Sequence, residues 1–180
     1  MSNLVKNIML GLEPTGFSES SAILSISAVE FNEECGITNR FYNIVDLKSC
    51  VNRGMKIDAS TFMYWMGRPE IERFPLMRDG IDLQTVLVLF KSWLGEGNIQ
   101  IWGNPASFSN NILRQAFNTC GLTCPFQVWD DRCYRTIVSS LPDIDKYAKK
   151  PRGESMLKVE HCARHIIDLC VTNNLPTILS

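Results

Sequence analysis

The first part of the chain carries three short segments rich in apolar and β-branched residues, each bounded by turn residues. Residues 5–12 form a mostly apolar run that stops at a turn over residues 14–16. Residues 22–31 and 37–46 alternate in part between apolar and polar positions, and the link between them ends in Gly36. Segments of this length and pattern are typical of β-strands. The pattern predicts one strand followed by an antiparallel hairpin.

Beyond the hairpin, the spacing of the apolar residues changes to that of helices. The clearest case begins at Asp82, where apolar residues recur every three or four positions until Gly95. The predicted helices begin near Asp58, Pro69 and Asp82 and cover residues 106–119, 130–141 and 157–171, with a strand over 99–102. This order of elements predicts an α/β fold in which helices pack on a mixed sheet.

Composition narrows the class of protein. The 180 residues are 45% apolar, which is enough to bury one core. Lys and Arg total 18 against 19 for Asp and Glu, and the net charge of -1 excludes an acidic disordered chain or a uniformly basic nucleic-acid coat. Any contact with a polyanion must therefore be local.

Basic residues concentrate near the C-terminal end, and this segment is the candidate partner-binding surface. It contains Lys146, Lys149, Lys150, Arg152, Lys158 and Arg164. Such a segment can contact nucleic acid or an acidic protein patch, and the alternative interpretation is a solvated lysine loop.

The cysteines and the absence of long apolar runs bear on the cellular compartment. The sequence has seven cysteines, with no Cys-x-x-Cys pair, which favours reduced thiols. One possible set of zinc ligands is formed by Cys120 and Cys124 together with His161 and His165. The alternative is that these are ordinary buried residues. No run approaches the ~18 apolar residues of a membrane helix, and the N-terminus lacks the pattern of a signal peptide. We expect a cytoplasmic protein without a membrane partner.

Two motifs carry a resemblance to a known family. Residues 9–16, MLGLEPTG, resemble the Asp-x-Glu-Thr-x-Gly motif at the end of the first strand of the DnaQ-like, or DEDD, 3′→5′ exonucleases. Glu13 matches this motif, but Gly11 stands where its aspartate belongs. Residues 102–110, WGNPASFSN, resemble the second motif, Gly-Asn-x-Ala-x-Phe-Asp, of a phage and bacterial subgroup labelled exodeoxyribonuclease VIII-like or exoribonuclease-like. Ser109 replaces the aspartate of that motif.

The resemblance extends over roughly residues 6–170 and implies a fold. That fold is α/β and ribonuclease H-like, of the DnaQ type, with a mixed five-stranded sheet flanked by helices. We expect one degenerate exonuclease-like domain over residues 1–180. Because related exonucleases are commonly dimers, a homodimer is one of the expected arrangements.

The family's last motif, His-x-Ala-Leu-x-Asp-Ala, is not matched on the final predicted helix. One register places Glu154 at the histidine and Val159 at the aspartate. The other places Leu157 and Cys162 at these positions. Neither register restores the histidine and aspartate, so Glu13 is the one family carboxylate that remains.

The resemblance implies that four carboxylates hold two divalent cations and that the histidine takes the proton of the attacking water. Two such cations about 4 Å apart repel each other by roughly 16 kcal/mol at an effective dielectric constant of about 20. One carboxylate cannot compensate this repulsion. The prediction is therefore a catalytically inactive protein that needs no cofactor and binds a protein or a nucleic acid. Its phage relatives suggest an inhibitor of a host nucleic-acid or defence machine.

The alternative is a residual 3′→5′ exonuclease that uses Mg²⁺ or Mn²⁺ on single-stranded DNA or RNA. The carboxylates available for such a rewired site are those of Asp58, Asp130, Asp131 and Glu160. For Asp130 and Asp131 there is a simpler interpretation, because they lie at the start of a predicted helix, where acidic residues act as caps. Near the implied cleft, the aromatic residues Trp102, Phe108 and Trp129 either stack on bases or belong to the core.

Overall fold

A mixed five-stranded sheet forms the centre of the described part of this computed structural model, which comprises residues 5–73, 78–140 and 155–173. The strands are β1 Lys6–Pro14, β2 Ile23–Asn32, β3 Gly36–Ile44, β4 Ile99–Gly103 and β5 Asp131–Cys133. They are ordered β3-β2-β1-β4-β5, with β1 antiparallel to β2 and parallel to β4. The predicted strand and antiparallel hairpin are therefore confirmed, as is the predicted mixed sheet.

Helices cover both faces of the sheet. They are α1 Leu47–Asn52, α2 Ala59–Met66, α3 Glu70–Arg73, α4 Leu83–Leu94, α5 Ala106–Thr119, α6 Tyr134–Ser140 and α7 Ser155–Asn173. The helices predicted to begin near Asp58 and Asp82 are both capped by these residues, because Asp58 accepts a hydrogen bond from the Thr61 N–H and Asp82 accepts one from the Gln84 N–H. The α4 helix ends at Gly95, whose φ of 64° favours glycine. None of the helices in the described ranges has the length and apolar character needed to cross a bilayer.

The central strand β1 is buried on both faces, which explains its continuous apolar run. Ile8 and Leu10 pack in one core with α4 and α5, whereas Met9 packs in a second core with α7. Successive side chains of a strand point to opposite faces, so Gly11 and Glu13 lie on the same face as Met9. That face meets α7.

The helix predicted over residues 130–141 is wrong in its first part. A short 3-10 turn covers Val128–Asp130, the strand β5 follows, and α6 starts only at Tyr134. Asp131 pairs in register with Ile101 of the neighbouring strand β4, a contact that local periodicity does not reveal. Asp130 accepts a hydrogen bond of 2.7 Å from the Gln127 N–H and so completes a capping box of the 3-10 turn, whereas Asp131 lies in β5; the predicted capping role is therefore confirmed for Asp130, on a different helix, and is wrong for Asp131.

Candidate functional site

A pocket of about 200 Å³ lies at the end of β1, between α7 and the start of α5. Its walls include Gly11, Glu13, Ser109, Lys158, Val159 and Cys162. The strands β1 and β4 are parallel, and the ends of parallel strands meet at the same edge of a sheet. This geometry brings together the three family positions singled out in the sequence: Gly11, Glu13 and Ser109.

Gly11 has no room for a side chain. A Cβ atom built at this position would overlap Cγ2 of Val159 and lie 2.7 Å from Ser27 Oγ. Ser27 and Ser155 share a hydrogen bond of 2.6 Å, which joins β2 to α7 at this point. Glycine lacks the carboxylate, and the close packing of α7 on the sheet removes the space that an aspartate would need.

Val159 and Cys162, which the two registers of the last motif place at the family aspartate, both line the pocket. Val159 is buried directly over Gly11, in keeping with the register that aligns it with the family aspartate. Cys162 lies further along the pocket wall, where Asn104 Nδ2 donates a hydrogen bond of 3.5 Å to its Sγ. Glu154, which this register places at the histidine, lies outside the described residues.

The surviving family carboxylate is already paired with a cation. Lys158 Nζ lies 2.9 Å from Glu13 Oε1, and the side chains of Lys158 and Glu13 are 37% and 15% exposed. Among the described residues that line the pocket, Glu13 is the one carboxylate. The pair has no net charge, and its ammonium group occupies a position next to the oxygen that a divalent cation would need.

Ser109 is held in place by its own helix. The hydroxyl of this buried residue donates a hydrogen bond of 3.3 Å to the Pro105 carbonyl. A Cβ atom at Gly103 would lie 2.6 Å from Ala106 Cα and 2.7 Å from Ser109 Oγ, so glycine is needed for α5 to approach the end of β4 this closely. A neutral hydroxyl in this position cannot replace the charge of an aspartate.

The acidic residues considered for a rewired site are occupied elsewhere and do not line the pocket. Asp58 caps α2, and hydrogen bonds from Ser60 and Thr61 lower the pKa of its carboxyl group. Glu160 pairs with Arg40 at 2.6 Å, and this hydrogen bond is the main cause that lowers its pKa. Asp131 accepts a hydrogen bond of 2.8 Å from Asn110 Nδ2 and is also paired with Arg114. Asp130 accepts its hydrogen bond from the Gln127 N–H at the start of the 3-10 turn.

The residues present do not fit the two-cation centre that the family implies. A single carboxylate paired with an ammonium group leaves the mutual repulsion of two divalent cations uncompensated. Within residues 5–73, 78–140 and 155–173, no group of three or more His, Cys, Asp or Glu side chains is arranged to hold a metal ion.

The possible zinc set is separated by the sheet. Cys120 and Cys124 pack against the core on the α4 and α5 side. His165 is buried on the α7 side, where its Nδ1 lies 2.7 Å from the Tyr134 hydroxyl. The i,i+4 spacing of His161 and His165 therefore belongs to an ordinary packed helix, and the zinc interpretation is wrong for this arrangement.

The candidate basic segment is described only in part. Lys146, Lys149, Lys150 and Arg152 lie outside the described residues. Lys158 forms the ion pair in the pocket, and Arg164 pairs with Glu160 at 3.3 Å on the exposed side of α7. Sequence reasoning missed the first of these pairs because its members lie 145 positions apart.

The three candidate stacking residues have different environments. Trp102 is fully buried and its Nε1 donates a hydrogen bond of 2.9 Å to Asn7, so it belongs to the core. Trp129 is 71% exposed but does not line the pocket. Phe108 does line it, and its ring lies 5.9 Å from that of Phe17, centroid to centroid. Phe17 is an aromatic residue that the sequence pattern did not single out.

Comparison with solved structures identifies the class of the fold. The chain is similar to Escherichia coli exonuclease I in a zinc-bound complex with single-stranded DNA, with a TM-score of 0.67, 10% identity and coverage of 97% of this chain and 42% of that chain. It is also similar to E. coli exonuclease I in complex with a dT13 oligonucleotide, with a TM-score of 0.68, 10% identity and coverage of 94% and 42%. The chain thus spans about 42% of the length of exonuclease I.

A third similar structure is the nuclease domain of 3′hExo, a DEDDh family member, bound to rAMP. The TM-score is 0.62, the identity is 12%, and the match covers 97% of this chain and 96% of that one. At such identities the likeness shows the fold alone, and this fold agrees with the expected ribonuclease H-like α/β fold.

The particular family follows from the sequence itself. Residues 6–170 match the Rv2179c-like 3′-5′ exoribonuclease domain, and the chain belongs to this family. A search of curated proteins found no match to the sequence.

Proposed function

We propose that this chain is a non-catalytic member of the exonuclease fold that acts by binding a macromolecular partner. The observation that carries this proposal is the ion pair of Glu13 and Lys158 beside the contact of Val159 with Gly11. The first removes the charge that would attract a divalent cation. The second removes the space for the aspartate that would help to hold it.

The physical argument concerns the charge balance of the pocket. A divalent cation that approached Glu13 would have to displace the Lys158 ammonium group or lie close to it, and like charges repel strongly at such distances. Ser109 adds no negative charge. Under this proposal, the protein needs neither Mg²⁺ nor Mn²⁺ as a cofactor.

The identity of the partner class is a further part of the proposal. Two of the similar structures are complexes with single-stranded DNA or an oligonucleotide, and a third is bound to rAMP, which supports a nucleic-acid partner as one option. A protein partner is the other. From the resemblance to phage relatives, we propose that the chain inhibits a host nucleic-acid or defence machine. The seven cysteines, all within the described residues, are thiols and form no disulfide, which supports the cytoplasm as the site of action.

A second candidate function is favoured by the family match over residues 6–170. This is a metal-dependent 3′→5′ exonuclease that trims single-stranded DNA or RNA. It would require ligands beyond those of the described pocket, with Glu154 as the nearest acidic residue in the sequence before α7.

A nuclease assay separates the two candidates. Purified protein is incubated with end-labelled single-stranded DNA and RNA in Mg²⁺ or Mn²⁺, with and without EDTA. The control variant is Glu13→Gln, which removes the surviving carboxylate while keeping the shape of the side chain. We expect no shortening of the substrate. Shortening by the unaltered protein that both EDTA and Glu13→Gln abolish would refute the non-catalytic proposal, whereas shortening that persists in Glu13→Gln would indicate a contaminating nuclease.

A further inference from the structure

A second cavity adjoins the pocket. It has a volume of about 400 Å³ and shares Leu12, Glu13 and Phe108 with the pocket. The loop after β1, the helix α2 and the first turn of α5 form its walls; we call it the Phe17 groove. Its apolar lining consists of Leu12, Pro14, Phe17, Tyr64, Trp65 and Phe108.

Two of the aromatic side chains of the Phe17 groove are widely exposed to solvent. Phe17 is 82% exposed and Tyr64 is 56% exposed. Met63 and Met66 of α2 are also exposed, but neither lines the groove. Exposed apolar residues that cluster around a concave site are typical of interaction surfaces.

Polar groups in the walls of the Phe17 groove are largely engaged within the protein. Trp65 Nε1 donates a hydrogen bond of 3.1 Å to the Pro14 carbonyl. The hydroxyl groups of Ser60 and Thr61 donate to Asp58 Oδ1 at 2.5 and 3.0 Å. Apart from the Tyr64 hydroxyl, the walls offer an occupant mainly carbon surface. An occupant is therefore held chiefly by the burial of apolar area.

The charges around the Phe17 groove disfavour a phosphate backbone. No basic side chain of the described residues lines it, and Glu13 at its inner end is paired with Lys158. The guanidinium group of Arg68 lies 5.2 Å from the centroid of the Tyr64 ring, but it is paired with Glu72. At the outer rim, Glu19 follows Phe17 by two residues and accepts a hydrogen bond of 3.2 Å from Asn111 of α5. Single-stranded nucleic acids are bound by aromatic platforms that are combined with basic grooves. The first feature is present here, but the second is missing among the residues that the structure describes.

We infer that the Phe17 groove docks an aromatic or large aliphatic side chain of a partner protein, with a Lys or Arg of that partner next to the Glu19 and Asp58 carboxylates. This inference rests on the proposed binding function and names the chemistry of the partner. The apolar side chain fills the groove between Phe17 and Tyr64. The basic residue pairs with the acidic rim and selects the orientation of the segment.

The test is a selection of peptides from a random mRNA-displayed library on the immobilised full chain. We expect the selected peptides to carry an aromatic or large aliphatic residue close to Lys or Arg. Their affinity for Phe17→Ser and for Tyr64→Ser is expected to fall at least tenfold, because truncation of a contact aromatic removes most of its buried area. Trp129→Ser is the matched control, since it removes another highly exposed aromatic residue away from the groove. It is expected to change the affinity less than twofold.

Three results would overturn the inference. The first is a set of selected peptides without the expected residues, or with equal losses in Phe17→Ser and Trp129→Ser. The second is displacement of the peptides by the oligonucleotides dT12 or rU12, which would place nucleic acid in the groove. The third is a concentration-dependent dimer in sedimentation velocity that Phe17→Ser abolishes, which would place a second copy there.

The nuclease assay keeps failure of this inference distinct from failure of the proposed function. Metal-dependent trimming that Glu13→Gln abolishes refutes the non-catalytic proposal, whatever peptides are selected. Absence of trimming together with peptides that ignore Phe17 and Tyr64 refutes the inference alone.

Discussion

Replacement of Gly11 by alanine tests whether α7 closes the pocket by packing directly on β1. The new Cβ atom would overlap a methyl group of the buried Val159 and lie 2.7 Å from Ser27 Oγ. Extra methyl groups in a packed core cost about 1–3 kcal/mol. We expect Gly11→Ala to lower the free energy of unfolding by about 2 kcal/mol and the Tm by roughly 4–8 °C, as measured by urea and thermal denaturation.

A double-mutant cycle shows whether Val159 is the cause. Val159→Ala alone leaves a cavity, and we expect it to cost about 2 kcal/mol. In Gly11→Ala/Val159→Ala, the new methyl group fills space that the valine has vacated. The double variant is therefore expected to lose about 2 kcal/mol rather than the sum of the two single losses.

Gly67→Ala is the matched control for this cycle. A Cβ atom at Gly67 would lie 3.6 Å from the nearest atom outside its immediate surroundings, which is ordinary contact, and its φ of -82° suits any residue. We expect its stability to stay within about 0.5 kcal/mol of the unaltered protein. Additive losses in the double variant, or a Gly11→Ala protein as stable as Gly67→Ala, would refute the packing argument.

Three further predictions concern the ion pair, the buried histidine and the cysteines. Lys158→Met is expected to lower the free energy of unfolding by no more than about 1 kcal/mol, because the pair with Glu13 is partly exposed. Urea denaturation at several salt concentrations tests this prediction, since the loss should depend on salt. A loss that salt does not change would contradict it. Burial, followed by the charge of His161, lowers the pKa of His165 from 6.5 to about 4. The unfolded chain therefore takes up this proton first as the pH falls, and stability should decrease from about pH 6.5 to about pH 4, more steeply than in His165→Gln. Equal pH dependence of the two proteins would contradict this assignment. Burial raises the pKa of the Cys50 thiol to about 11. Under native conditions, Cys50 should therefore resist an aromatic disulfide reagent that modifies the exposed Cys35. Equal rates of modification at the two cysteines would contradict the buried position of Cys50.

The expected outcome for a reversion of the two lost aspartates follows from the same packing. Gly11→Asp/Ser109→Asp should not regain metal-dependent trimming, because the aspartate at 11 meets Val159 and Lys158 still pairs with Glu13. Recovery of activity in this variant would show that α7 moves aside more easily than its contacts with the sheet indicate.

Much of the fold could be predicted from the sequence because local signals coincide with it. The apolar run of β1 is continuous since the strand is buried on both faces, and α4 has its Asp82 cap, its periodic apolar face and its Gly95 stop in the printed order. The strand β5 could not be predicted in this way. Its three residues form a strand only because they pair with β4.

The sequence alone shows that family positions 11 and 109 lack negative charge. Glycine at 11 and serine at 109 have no carboxylate in any conformation, so the shortage of negative charge follows from the residue types themselves, however the chain packs. The resemblance to the DnaQ-like exonucleases also implied that these positions would share one site. Residue chemistry and strand order are properties of the chain itself.

The tertiary structure alone decided how the pocket is filled. Lys158 and Glu13 are 145 positions apart, and no periodicity or motif spacing relates them. Their pairing, and the burial of Val159 over Gly11, depend on the rotation and depth at which α7 packs on the sheet. That arrangement is set by the summed side-chain contacts along the helix, which are long-range in sequence and cannot be deduced from any one segment.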